Sequence, residues 1–357
     1  MITEKSLTAD WYPEINERYG NLDRNLFDKV THAFYLLEML AESKLSFVFK
    51  GGTSLLLILQ EVKRFSIDID IIVPEEVSID VLEEVLKKIV DKSVFTRFEE
   101  QKRHVSAIPK AHFKLFYTSP FDQSEVYVLL DVLFEENPYS HLDTLAIACP
   151  FVDTVPPNVY VQVPGIADIL GDKLTAFAPN STGIPYNKGK AMEIIKQLFD
   201  IESLFDQLTT LSGVKETFVR CALQELSYRQ LSEMDYETVL DDILNTSLII
   251  GGRGSLEKEL FLQLEDGVRR IKSHIISRNY IVEEAVVSAS KAAYLALLLK
   301  NDRETFEKFD PLVSLPELVG APLFKKMAKI KKFSPEAYYY FAKTQELKNN
   351  QQLTQLR

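Results

Sequence analysis

Lys50-Gly51-Gly52-Thr53-Ser54, and then Arg64-Phe65-Ser66-Ile67-Asp68-Ile69-Asp70-Ile71, is the stretch from which the fold can be read. The apolar run 45–50 reads as a strand that stops at a glycine pair, and 53–61 has helical spacing. Residues 65–73 then alternate as a second strand. Side chains alternate faces along a strand, so Ser66, Asp68 and Asp70 are expected on one face and Ile67, Ile69 and Ile71 on the other. The isoleucines enter a core, which leaves two carboxylates side by side at the end of a buried strand.

Outward from this stretch, residues 22–42 carry Leu26, Val30, Phe34, Leu37 and Leu40 at helical spacing and predict an amphipathic helix. Residues 78–92 predict another, and 94–99, 112–117 and 125–134 predict three more strands. After Pro164 the strand signal ends. Residues 166–178, 189–205, 214–228, 236–245, 256–278, 282–299 and 335–347 all read as helices, with no fixed-period repeat. The expectation is an α+β domain over residues 1–178 followed by a helical domain over 179–357, with 179–188 as the loop-like connection.

The composition is that of a soluble globular protein, with 46% hydrophobic and 26% charged residues. Two distant cysteines, Cys149 and Cys221, with no CxxC spacing, argue against a disulfide framework or a zinc site. No apolar run is long enough to span a bilayer and the N-terminus is not signal-like, so a cytoplasmic protein with no membrane association is expected. The net charge of −11 disfavours a surface given over to nucleic acid. Locally the balance reverses: residues 321–357 hold eight Lys/Arg against Glu336 and Glu346. Phe324, Phe333 and Tyr338-Tyr339-Tyr340 are interleaved with these lysines, a pattern that suits contact with an RNA backbone and stacked bases as well as an amphipathic helix with a solvated lysine face. Residues 102–110 read as a basic loop.

Two carboxylates flanked by apolar residues are costly without a cation. Oxygen ligands so placed hold Mg²⁺ or Mn²⁺, commonly as a pair of ions about 4 Å apart, in phosphoryl-transfer sites. Gly51 and Gly52 allow close backbone approach, and the helix starting near Thr53 offers free N–H groups to a phosphate. Thr53 or Ser54 adds a hydroxyl. A nucleoside triphosphate would thus lie between the helix start and metals on the next strand. Asp131, closing the apolar strand 126–130, is the candidate third ligand and the base for an attacking hydroxyl.

A glycine pair alone is usually a turn, and a DxD alone is usually a solvated pair. In this order, however, the sequence resembles the polymerase-β-like nucleotidyltransferases, and within them the AbiEii/AbiGii toxin family, with its KGGT-like turn and R-x-S-x-D-x-D strand. The resemblance extends over residues 47–204. It matches Gly171-Asp172-Lys173-Leu174-Thr175-Ala176 to an A-[DE]-K-L-x-A stretch, and Lys190 with Lys196-Gln197-Leu198-Phe199-Asp200-Ile201 to a later helix. Gln197 stands where that family has its first aspartate, and Gly171 where it often has alanine.

The resemblance implies a nucleotidyltransferase-like mixed sheet flanked by helices, with the C-terminal helical domain contributing to a cleft. It implies catalytic Asp68, Asp70, Asp131 and Lys173, the three aspartates as metal ligands. Nucleotide contacts are expected from Lys50, Gly51, Gly52, Thr53, Ser66, Lys190, Lys196 and Asp200. The implied activity moves a nucleoside monophosphate from an NTP to a tRNA or protein hydroxyl, in a type IV toxin opposed by a cognate antitoxin. The competing readings are an inactive nucleotide- or partner-binding module and a metal-dependent phosphohydrolase. The histidines show no ligand spacing, but His112 and Lys114 lie on a strand expected beside Asp131, within reach of a phosphate.

Overall fold

The computed structural model of the chain describes residues 1–101, 108–317 and 328–355. It divides into two compact units, one of Met1–Gly165 with Ser273–Arg278 and one of Ile166–Lys272 with Asn279–Arg357. The division falls at Gly165 and not at residue 178. Helix α5 (Ile166–Ala176) is the reason: it packs on α6 (Ala191–Gln207) and α7 (Val214–Tyr228), deep in the helical unit. The loop-like stretch 179–188 therefore lies within that unit.

The first unit is built on a seven-stranded mixed sheet of order β3-β4-β5-β2-β1-β7-β6. Its strands are β1 (Val48–Lys50), β2 (Ile69–Val73), β3 (Arg97–Glu100), β4 (Lys110–Thr118), β5 (Glu125–Phe134), β6 (Leu142–Ala146) and β7 (Tyr160–Pro164). Strand β2 runs parallel to β5 and antiparallel to β1. One face of the sheet carries Phe49, Ile69, Ile71, Phe113, Leu115, Leu130 and Val132, all buried. Helix α2 (Arg24–Glu42) contributes to the same core, where Val30, Phe34, Leu37 and Leu40 are fully buried. Burial of each such side chain contributes about 1.5–3 kcal/mol. Asp23 caps α2 by accepting hydrogen bonds from the Asn25 and Leu26 amides.

A polar knot lies inside this core. Ser119 donates to Asp28 at 2.7 Å, His32 Nδ1 lies 3.1 Å from the same carboxylate, and the His32 ring stacks on Tyr117 at 3.6 Å. Burial pushes the Tyr117 hydroxyl far above its ordinary range, with the Asp28 charge adding to the shift.

The helical unit holds α5 to α7, α8 (Tyr236–Gly252), α9 (Lys258–Arg270), α10 (Val282–Lys300) and α11 (Pro335–Gln355). Helix α10 is apolar around most of its circumference and is the axis on which α6, α8 and α11 pack. A Cβ on Gly171 would lie 2.6 Å from the Val214 carbonyl oxygen, so glycine here, in place of alanine, lets α5 approach α7 closely. No helix among the described residues is long and apolar enough to cross a membrane.

The C-terminal aromatic run meets a different fate from base stacking. Tyr338, Tyr339 and Tyr340 are buried, with Tyr340 against Phe205 and Tyr294. Phe324, Lys325 and Lys326, like residues 102–107 of the basic loop, lie outside the described residues.

Candidate active site

The sheet register assembles the site of the first unit. Lys50 on β1 pairs with Asp70 on β2, Asp70 pairs with Asp131 on β5, and Asp131 pairs with His112 on β4. The four form one row across four strands, on the face opposite the core. Neighbouring strands are about 5 Å apart, so the two carboxylates are immediate neighbours. A basic side chain flanks them at each end of the row.

The row carries its own contacts. His112 Nδ1 lies 2.5 Å from Asp131 Oδ1, and Lys50 Nζ lies 5.8 Å from the centroid of the Tyr139 ring. Lys114, the other cation of β4 expected to reach a phosphate, sits instead over the Tyr127 ring at 4.4 Å.

Asp68 departs from the expected geometry. The strand begins only at Ile69, so Ser66 and Asp68 do not continue its alternation, and Asp68 is exposed just before it. Two contacts set this approach path. The buried Thr53 hydroxyl donates to the Asp68 carbonyl at 2.5 Å. The preceding backbone is tied to the returning segment Ser273–Arg278, through Phe65 N–H to His274 O and an Arg64–Ile275 bridge.

The glycine turn is shaped by what crosses it. Helix α3 (Gly51–Ile58) begins at the first glycine, with Lys50 at its N-cap. Gly51 has φ of +79°, and a Cβ there would fall 2.1 Å from Asp70 Oδ2. At Gly52 a Cβ would meet the Arg64 guanidinium and the Ser66 hydroxyl, each at 2.6 Å. The side chains against the glycines are thus those of the motif itself. The Asp70 carboxylate lies at the positive end of α3. Of the two hydroxyls, Thr53 is bound to Asp68 O and Ser54 donates to Gly51 O at 3.0 Å.

Among the described residues no three His, Cys, Asp or Glu side chains are gathered closely enough to hold a metal ion. The chemistry of the donors present still suits one kind of ion. Mg²⁺ typically takes one or two carboxylates and completes its shell with water and substrate phosphates. A carboxylate pair beside a glycine cradle, with Asp68 exposed next to it, fits that partial shell and not an all-protein cage.

In the helical unit, Lys173 of α5 and Asp200 of α6 are both buried and joined at 2.9 Å, and Lys173 also donates to Gln197 Oε1 at 3.2 Å. Lys196 lies one turn before Asp200 and is half-buried. Asp200 is therefore the partner of Lys173 and not simply half of a surface pair on its own helix. Lys190 is exposed at the start of α6 and, with Tyr186, Arg269 and Arg270, lines a cavity of about 320 Å³.

His112 was the least legible member of the site. Its strand was expected beside Asp131 from the sequence, but only the β4–β5 register shows that His112 itself pairs with Asp131.

A family model described as "Nucleotidyl transferase AbiEii toxin, Type IV TA system" matches residues 35–277, more than half of the chain. Among solved structures, JHP933 from Helicobacter pylori is 15% identical, with 79% of this chain and 96% of that chain covered and a TM-score of 0.45. An antigenic nucleotidyltransferase-like protein from Paracoccidioides brasiliensis is 15% identical, with 59% and 93% covered and a TM-score of 0.38. No curated protein matches the chain.

Proposed function

The chain belongs to the AbiEii nucleotidyltransferase toxin family of type IV toxin–antitoxin systems, and on that premise we propose that it transfers a nucleoside monophosphate from an NTP to an acceptor hydroxyl on tRNA or protein. The observation that carries this reading is the register pairing of Asp70 with Asp131, beside Lys50 and over the Gly51 turn.

Asp70 and Asp131, paired in register, would hold Mg²⁺ or Mn²⁺, and Asp68, which the sequence motif offers as a third ligand, stands exposed just before the strand and outside that pair. When bound, the ion supplies the positive charge that offsets charge developing on the transferred phosphoryl group. Gly51 and Gly52 leave the start of α3 uncovered by side chains of their own, so its amides would receive phosphate oxygens, with Lys50 and Ser66 beside them. Asp131 would accept the proton of the attacking hydroxyl. The acceptor oxygen then bonds to the α-phosphorus as the bond to pyrophosphate breaks. Lys173, Lys190, Lys196 and Asp200 are assigned to nucleotide handling on the strength of the motif match. Family membership implies a cognate antitoxin, and a cytoplasmic site of action accords with these substrates.

The test is transfer of label from each of the four α-labelled NTPs, with Mg²⁺ or Mn²⁺, to total cellular RNA and protein, followed by mass spectrometry of the labelled acceptor. A labelled macromolecule supports the proposal. Nucleotide binding without transfer would favour an inactive binding module, and free nucleoside monophosphate without a labelled acceptor would favour a phosphohydrolase.

A further inference from the structure

Asp131 is held by a hydrogen bond from a histidine that, among the described residues, has little other reason to be where it is. His112 is only 6% exposed. Its Nδ1 lies 2.5 Å from Asp131 Oδ1, and an ionised carboxylate can only accept, so Nδ1 is the donor. Its Nε2 is buried with no hydrogen-bond partner among the described residues. A buried polar atom without a partner costs stability, and an aliphatic side chain of similar size would avoid that cost. The ring sits in a strand whose next residue, Phe113, belongs to the core. The position thus tolerates a residue that is poor for the fold, and its polar side-chain contact among the described residues is with a candidate metal ligand.

We infer that His112 is a positioning residue: by binding Oδ1 it fixes the rotamer of Asp131 and leaves Oδ2 as the oxygen offered to a divalent cation beside Asp70. Carboxylate ligands are commonly oriented by such an outer hydrogen bond, whose loss weakens metal binding 10–100-fold. The side chain of Asp131 is 32% exposed, so without His112 it stays hydrated but is free to rotate. This inference rests on the metal-dependent reading of the site and names a residue that the sequence motif does not contain.

The experiment is Mn²⁺ binding to the full chain, followed by the electron paramagnetic resonance signal of free Mn²⁺, with melting temperature and labelled transfer measured beside it. His112→Leu is expected to melt at or above the wild-type temperature while binding Mn²⁺ roughly 10–100-fold more weakly. His112→Asn, whose amide N–H falls near the Nδ1 position, is expected to recover binding to within a few-fold. His112→Gln, whose amide falls near Nε2, is not. A purely structural histidine would move the melting temperature and leave Mn²⁺ affinity alone.

Wild-type Mn²⁺ affinity in His112→Leu overturns the inference. If that variant does not fold, equal affinities in the Asn and Gln variants overturn it instead. Transfer by the wild type together with unaltered Mn²⁺ affinity in the variants defeats this inference and spares the enzymatic proposal. A wild type that binds no Mn²⁺ and transfers nothing defeats both.

Discussion

Gly51 lies so close to Asp70 that a methyl group on the glycine would fall 2.1 Å from the Asp70 carboxylate oxygen Oδ2, and the glycine holds a φ of +79° that other residues rarely adopt. The turn and the carboxylate therefore constrain each other. Backbone conformation and side-chain clearance demand glycine independently.

Gly51→Ala should act on both demands. The left-handed backbone costs roughly 1–2 kcal/mol for alanine, and the Asp70 carboxylate must move to make room. Misplacement by about 1 Å can cost on the order of 100-fold in rate. The expected result is a modest fall in melting temperature with a fall in transfer of roughly 100-fold or more. Transfer near the wild-type level would show that Asp70 need not sit where it does.

Asp70→Asn and Asp68→Asn probe the opposite balance. Each removes negative charge from a site where carboxylates crowd, so the melting temperature should hold or rise while transfer falls by roughly two orders of magnitude or more. Thermal melting without added metal, beside the transfer assay, makes the comparison. A large drop in melting temperature would instead identify the carboxylate as a structural partner of a nearby base such as the buried Arg64.

The reading of the sequence succeeded where local pattern and long-range packing agree. Helix α2 shows its apolar stripe plainly, and Val30, Phe34, Leu37 and Leu40 fill the core as that stripe predicts. Strands β4 and β5 were likewise visible from their apolar runs. Agreement failed at Ser66 and Asp68, whose alternation imitates a strand. The backbone preceding them is instead paired with residues about 200 positions later, and Thr53 holds the Asp68 carbonyl. Strands β6 and β7 escaped notice because β6 is half-exposed throughout most of its length and β7 alternates buried Val161 and Val163 with exposed Tyr160 and Gln162 over too short a span to stand out. Of the site, the acidic motif and glycine turn were legible; the pairing of Asp131 with His112 depended on register, which no local window encodes.

The buried Lys173–Asp200 pair gives a third prediction. Removing one member leaves an uncompensated charge, at a cost of about 3–5 kcal/mol, whereas replacing both by apolar residues of similar volume is far less costly. Lys173→Met and Asp200→Leu should each destabilise strongly in urea unfolding, and the double variant should recover most of the loss. If the ion pair also handles nucleotide, the double variant will be stable yet defective in transfer. A double variant that is both stable and active would confine Lys173 and Asp200 to a structural role.

Asp242 ties stability to pH in the helical unit. Its carboxylate accepts from the Asn180 backbone amide and side chain, each at 2.7 Å, and from Ser181 at 2.9 Å, yet burial outweighs these bonds and holds its pKa above the ordinary carboxylate range. A folded pKa above the unfolded one means that protonation favours the folded state. The stability linked to this group is complete below the unfolded pKa, about 4, and is lost as pH rises through the folded value. Asp242→Asn cannot ionise and should lack that loss. Urea unfolding of wild type and variant from pH 4 to 7 should therefore show the wild type losing stability relative to the variant as pH rises. A difference that stays constant with pH would mean that the Asn180 and Ser181 hydrogen bonds fully offset the burial of the charge.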